Sequence, residues 1–135
     1  MQLIIFEISN EKFGFDLTRM KEINRDLLIT PVPNAPEYFK GVANLRGKIV
    51  PIIDLKKRLN LSSAGRVKNP RIIVIEIDDE LLGFKVDRVF EVMRIDNNKI
   101  LKLTGSSTLI DNNCIKGIIK IDSGIITLLE LEKLI

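Results

Sequence analysis

Short apolar runs, broken at frequent intervals by polar turn residues, dominate the chain. Phe13, Phe15 and Leu17 alternate with Gly14 and Asp16, the two-residue period of a half-buried strand. Leu3-Ile4-Ile5-Phe6-Glu7-Ile8 precedes them across Ser9-Asn10-Glu11-Lys12, which reads as the turn of a hairpin. The same hairpin recurs as Arg71 to Ile77, Asp78-Asp79-Glu80, and Leu81 to Val86, and Met20 to Ile23 and Val89 to Val92 read as the next strands. Three prolines in Thr30-Pro31-Val32-Pro33-Asn34-Ala35-Pro36 remove ladder donors and mark a loop. Asn34 is expected to cap one turn of helix that runs through Phe39 and stops at Gly41. Pro51 inside Ile49-Val50-Pro51-Ile52-Ile53 predicts an edge strand or a bulge. Asp54 stands where a short helix over Leu55 to Leu59 would start, its basic residues near the C-terminal end of the dipole. Glu130 to Ile135 reads as a short terminal helix.

This pattern occurs twice. With a shift of 69 positions, Glu7, Ile8, Glu11, Gly14, Phe15, Arg19, Glu22 and Arg25 fall on Glu76, Ile77, Glu80, Gly83, Phe84, Arg88, Glu91 and Arg94, eight identities in twenty positions. With a shift of 76, Gly41, Ile49, Leu55 and Lys57 fall on Gly117, Ile125, Leu131 and Lys133. Apolar strands resemble one another by chance, but chance does not align glycines and charges as well. The expectation is an internal duplication, with function where the copies differ. Ser62-Ser63-Ala64-Gly65 with Lys68-Asn69-Pro70 is the expected join, and Gly105 to Thr108 belongs to a longer loop of the second copy. Many short strands favour two small barrels over a long-stranded sandwich. The expected division is one domain over residues 1–135, with subdomains 1–66 and 67–135 and strands exchanged at the boundary.

Leu3 to Phe6, Ile72 to Ile75, Ile118-Ile119 and Ile125-Ile126 are apolar on both faces. A small barrel needs only its inner face apolar, so the other must be covered by the second half or by another protein. A half of about 60–70 residues would be marginal alone, which favours mutual packing. Apolar content of 45% with 29% charged residues is that of a soluble globular protein. No stretch approaches the ~20 apolar residues of a membrane span, so direct membrane insertion is not expected. Met1-Gln2-Leu3 enters a strand-like run at once, without the basic region of a signal peptide. One cysteine, Cys114, allows no internal disulfide and fits a reducing compartment, as a small buried hydrophobe.

A net charge of +3 raises the question of nucleic acid. Lys56-Lys57-Arg58 is the only three-residue basic run, however, and aromatics are 5%. The stacking platform of a single-strand binder is missing, and a solvated face explains the lysines better. The chain contains no histidine. That removes histidine triads, His-ligated metals and phosphotransfer through histidine. Neither glycine-rich phosphate-binding motif is present, so no cofactor is expected. Asp78-Asp79 is ordinary turn chemistry. An interaction protein is therefore favoured over an enzyme, with a nucleic-acid-binding double barrel as the rival.

Asn44-Leu45-Arg46-Gly47 is where the copies diverge, because its counterpart is Lys120-Ile121-Asp122-Ser123. On spacing alone this is a hairpin turn with a solvated arginine. The longer stretch Gly41-Val42-Ala43-Asn44-Leu45-Arg46-Gly47-Lys48-Ile49-Val50-Pro51-Ile52-Ile53-Asp54-Leu55, however, resembles the signature segment of the CheW coupling proteins of bacterial chemotaxis. Phe13 to Leu17 with Glu22-Ile23, the proline loop over Thr30 to Pro36, and Gly83 to Val89 with Glu91-Val92 resemble further landmarks in the same order. The resemblance runs from about Leu3 to Ile135.

What it implies is an all-β fold of two SH3-like five-stranded barrels related by a pseudo-twofold, with short helices. It also implies a non-catalytic adaptor that couples methyl-accepting chemoreceptors to the histidine kinase CheA. Such an adaptor would be cytoplasmic and recruited to membrane-associated receptor arrays. By position, Ile4, Leu17 and Met20 would face the regulatory domain of CheA. Asn44, Leu45 and Arg46, with Val86 and Val89, would line the groove for the receptor tip; Glu22 and Arg46 match the family's acidic and basic key positions, and the resemblance leaves open whether the two pair. Methionine at 20 departs mildly from the branched aliphatic residues common there. The resemblance leaves open whether the pathway is flagellar chemotaxis or another array.

Overall fold

Both predicted hairpins form because two consecutive residues adopt left-handed backbone at each turn: Ser9 (φ 52°) with Asn10 (φ 65°), and Asp78 (φ 52°) with Asp79 (φ 64°). Such two-residue turns match the twist of the strands they join. Glu11 and Glu80 therefore belong to strands rather than turns. The computed structural model describes residues 1–25, 27–61, 67–102 and 114–134. Its strands are β1 (Gln2–Ile8), β2 (Glu11–Asp16), β3 (Met20–Asn24), β4 (Ile29–Thr30), β5 (Phe39–Leu45), β6 (Lys48–Asp54), β7 (Arg71–Ile77), β8 (Glu80–Val86), β9 (Arg88–Arg94), β10 (Ile115–Ile121) and β11 (Gly124–Leu129). One short helix, α1 (Leu55–Arg58), follows β6, and Asp54 caps it by accepting the Lys56 amide at 3.0 Å.

The strands form two sheets, ordered β10-β11-β2-β1-β9 and β3-β7-β8-β6-β5-β4. Each sheet takes its β1-β2 or β7-β8 hairpin from the opposite half of the chain. Apart from the extra edge strand β4, the two orders are the same once the repeat is applied. The registers agree as well. The parallel ladder that seats β8 on β6 pairs Gly83 with Ile52, and the ladder that seats β2 on β11 pairs Gly14 with Leu128, the equivalent residues. Bulges recur at equivalent places, between Phe39 and Gly41 and between Ile115 and Gly117. The matched glycines have a steric cause. A Cβ on Gly41 would run into the Thr30 carbonyl, and one on Gly117 would lie 2.8 Å from that of Leu101.

Of the runs apolar on both faces, Leu3 to Phe6 and Ile72 to Ile75 are explained by three clusters, whereas Ile125 stays 52% exposed. Ile4, Phe6 and Ile8 of β1 meet Ile73, Ile75 and Phe84 of the other sheet in a shared central core. Phe6, Phe13, Phe15 and Phe84 chain together there at ring separations of 5.3–6.3 Å. The opposite faces serve their own sheets: Leu3 and Ile5 pack with Ile119 and Ile126, and Ile72 and Val74 pack with Leu45 and Val50. Mutual packing thus buries what a lone barrel would leave exposed, at roughly 1.5–3 kcal/mol per large side chain. Cys114 lies in the central core, as expected.

Several expectations change. The two sheets are open rather than closed barrels, because their linear order leaves β9 and β10 unpaired to each other among the described residues. No helix follows Asn34. That residue turns with φ 62°, and the Phe39 amide simply returns to the Pro36 carbonyl at 2.9 Å, because two nearby prolines cannot donate to a helical ladder. Strand β6 is internal, not an edge. Its parallel ladder covers only Ile52 to Asp54, so Pro51 sits just beyond the end, opposite a strand carrying a bulge. The C-terminal helix is a single 3-10 turn, Leu131–Lys133. The expected join at residues 62–65 and the loop at 105–108 lie outside the described residues.

Candidate functional site

The hairpin between β5 and β6 turns on Arg46 (φ 52°) and Gly47 (φ 84°). Glycine accepts this backbone freely; arginine does so at a cost of about 1–3 kcal/mol. Asn44 offsets part of that cost, since its Oδ1 accepts the Gly47 amide at 2.9 Å. The turn therefore projects the arginine in one direction, and the side chain is 73% exposed.

Arg46 donates from Nη2 to Oε2 of Glu22 on β3. In the sheet, β3 is separated from β6 by β7 and β8, three strand spacings of about 4.8 Å each. A flat sheet would keep the two side chains apart, so this contact records how strongly the sheet curls around Val50, Val74 and Leu45. The ion pair acts as a latch across the mouth of that curl. Glu22 is steadied from its other side by Asn24, whose Nδ2 donates to Oε1 at 2.7 Å. That amide bond first, and the Arg46 bond and charge second, hold the Glu22 carboxyl below its usual range. An exposed pair of this kind contributes roughly 0–1 kcal/mol to stability. Its value is geometric: it fixes one edge of an exposed guanidinium.

The other expected site residues divide by burial. Leu17, in the 3-10 turn Leu17–Arg19, and Met20 and Val89 are half-buried, with one side on the central core. Asn44 is exposed beside Arg46. Ile4, expected on an outward surface, is instead 2% exposed within the central core, because the second sheet covers that face of β1. Val86 is equally hidden at 1%, and Leu45 points inward beneath the latch. These three act as supports, with no free surface of their own.

Sequence reasoning missed two supporting groups. Asn24 shares a strand face with Glu22 at the two-residue spacing, a signal available beforehand. Asp87 had none. It accepts the Ser9 amide at 2.9 Å and pairs with Lys56 at 3.3 Å, at 17% and 15% exposure, and so ties the first hairpin to α1 from the second half. Among the described residues no group of three or more histidine, cysteine, aspartate or glutamate side chains is placed to hold a metal ion. No helix among them is long and apolar enough to cross a membrane.

Comparison with known proteins places this arrangement. The profile of the CheW-like domain matches residues 2–135, and the chain belongs to that family. It is 37% identical over 134 residues to the chemotaxis protein CheW of Thermotoga maritima, covering 99% of this chain and 87% of the relative. The chemotaxis protein CheW of Helicobacter pylori is 33% identical over 136 residues, covering 100% and 81%. Among solved structures, the scaffolding protein TtCheW from Thermoanaerobacter tengcongensis superposes with a TM-score of 0.91 at 39% identity, covering 98% of this chain and 90% of that one.

Proposed function

We propose that the chain is a non-catalytic adaptor of a chemosensory array, coupling methyl-accepting chemoreceptors to the histidine kinase CheA. The observation that carries this reading is the Glu22–Arg46 latch. An arginine is held in a left-handed turn, largely exposed, and aimed by a carboxylate and an amide. Family membership and the names of the relatives support a chemotaxis scaffold role. On this reading the receptor tip contacts Asn44 and Arg46, with Glu22 orienting the guanidinium and Leu45, Val86 and Val89 shaping the surface from behind. The regulatory domain of CheA contacts Leu17 and Met20, with Ile4 supporting them from the core. The two sheets are read as SH3-like modules with exchanged hairpins, related by a pseudo-twofold, with the chain dividing into subdomains 1–66 and 67–135. Their matching registers support that description.

Calorimetric titration with the CheA regulatory domain of the same organism tests the kinase side. Saturable one-to-one binding is expected, weakened by Leu17→Asp while receptor binding persists. Unchanged binding of both partners to that variant would place the kinase face elsewhere. Arg46→Glu should weaken receptor binding in a domain that melts near the parent's temperature. Parallel loss of stability and binding would make Arg46 a structural residue.

A further inference from the structure

The second sheet has a mouth of its own, built from the equivalent residues and left unlatched. By the repeat, Glu22 corresponds to Glu91 on β9, and Arg46 corresponds to Asp122 in the turn between β10 and β11. Where the first mouth pairs a base with an acid, the second faces two acids. Like charges do not draw the turn onto the strand, and a cleft of about 550 Å³ opens there instead. Ile5 and Ile126 form its floor, Phe90 and Met93 one wall, and Glu91 and Asp122 belong to its rim. Phe90 stays 40% exposed. Lys12 also lines the cleft, but its amine lies 5.3 Å from the Phe90 ring centre and 3.4 Å from Ser123 Oγ. Among the described residues, neither Glu91 nor Asp122 takes part in an ion pair.

The geometry points to a second docking site in this cleft, for a partner-protein segment that carries an arginine flanked by aliphatic side chains. The arginine would enter between Glu91 and Asp122 and complete in trans the latch that Arg46 completes in cis. Its neighbours would settle on Ile5, Met93 and Ile126. Both halves of that chemistry are on view in this molecule. The first mouth shows that a guanidinium satisfies the glutamate at this register, and the second supplies an apolar floor with two carboxylates in none of the ion pairs among the described residues, the Arg88 guanidinium lying instead 5.3 Å from the Phe90 ring centre. Arginine suits the role better than lysine because its planar fork can serve two carboxylates at once. This inference concerns the other mouth from the one that carries the proposed receptor contact, so its failure leaves that reading standing.

The test is an amide chemical-shift titration of the full chain with two blocked pentapeptides, Ala-Leu-Arg-Leu-Ala and Ala-Leu-Glu-Leu-Ala. The arginine peptide should shift the amides of Glu91, Asp122 and Ile126 saturably, and the glutamate peptide should not. Asp122→Arg should close the mouth in cis and weaken the arginine peptide by at least about tenfold, the scale of a charged hydrogen bond. Glu91→Gln should weaken it several-fold, and both variants should leave the amides around Glu22 and Arg46 unmoved. Equal binding of the two peptides, an unchanged affinity in Asp122→Arg, or no saturable shift would overturn the proposal. So would concentration-dependent shifts of the same amides without peptide, which would give the cleft to a second copy of the chain.

Discussion

The two mouths of this molecule share a scaffold and differ at the rim. Each is framed by equivalent strands in equivalent register, and each carries a glutamate at the same place on its edge strand, Glu22 or Glu91. The turn opposite carries Arg46 in one and Asp122 in the other. The first mouth is drawn shut by an ion pair; the second stays open as a cleft. The repeat thus keeps the positions that buried packing and bulges constrain, where a changed residue would disturb a ladder or a core. It left free the rim positions, where a changed charge alters stability by little and recognition by much.

The largest test of this comparison asks whether the mouths are independent. Phe15 sits on β2 but packs against Phe84 of the other sheet, 6.3 Å between ring centres. Phe15→Ala should lower stability by about 3–5 kcal/mol, and urea unfolding followed by circular dichroism should remain a single transition. Two separated transitions would show that each sheet holds itself together. Next in size, Asp87→Ala removes an acceptor for the Ser9 amide and the partner of a largely buried Lys56. A loss of about 1–3 kcal/mol is expected, whereas a loss under about 0.5 kcal/mol would mean that this tie is ornamental.

Smaller effects are expected at the rims. Arg46→Glu gives the first mouth the charge pattern of the second and should cost no more than about 1 kcal/mol. The converse change, Asp122→Arg, should add stability of the same modest size. Opposite signs measured in parallel melts would sharpen the comparison, and equal signs would break it. The finest test is the titration of Glu22. Its carboxyl is held low first by Asn24 and then by Arg46, so its ionised form favours the folded state. That contribution is full above the usual carboxylate range and is lost as pH falls through the lowered folded value. Carboxyl-carbon shifts should show Asn24→Ala and Arg46→Ala each raising the Glu22 midpoint. An unmoved midpoint in either variant would remove that partner from the latch.

Much of the fold was legible in the residues. The hairpins, the repeat and the Asp54 cap follow from alternation, aligned identities and local hydrogen-bonding chemistry, all properties of near neighbours. Runs such as Ile72 to Ile75 announced that two faces had to be buried, but period-two patterning is blind to which face meets which partner. Ile4 was therefore placed outward when the second sheet covers it. Glu22 and Arg46 were each visible as candidates. The resemblance left open whether they pair, because the contact depends on the curl of a sheet that brings together residues 24 positions apart in sequence.

By itself the sequence determined two copies of one strand pattern, their glycines and turns, and the rim position at which the copies part. Only the tertiary structure decided that each half lends its hairpin to the other's sheet, that the aromatic residues of both meet in one core, and that one mouth latches while the other stands open. Local sequence specifies the conformation of neighbours. Closure across a curled sheet is a long-range outcome, set by how two apolar faces are buried together and by whether the charges that meet at the rim attract or repel.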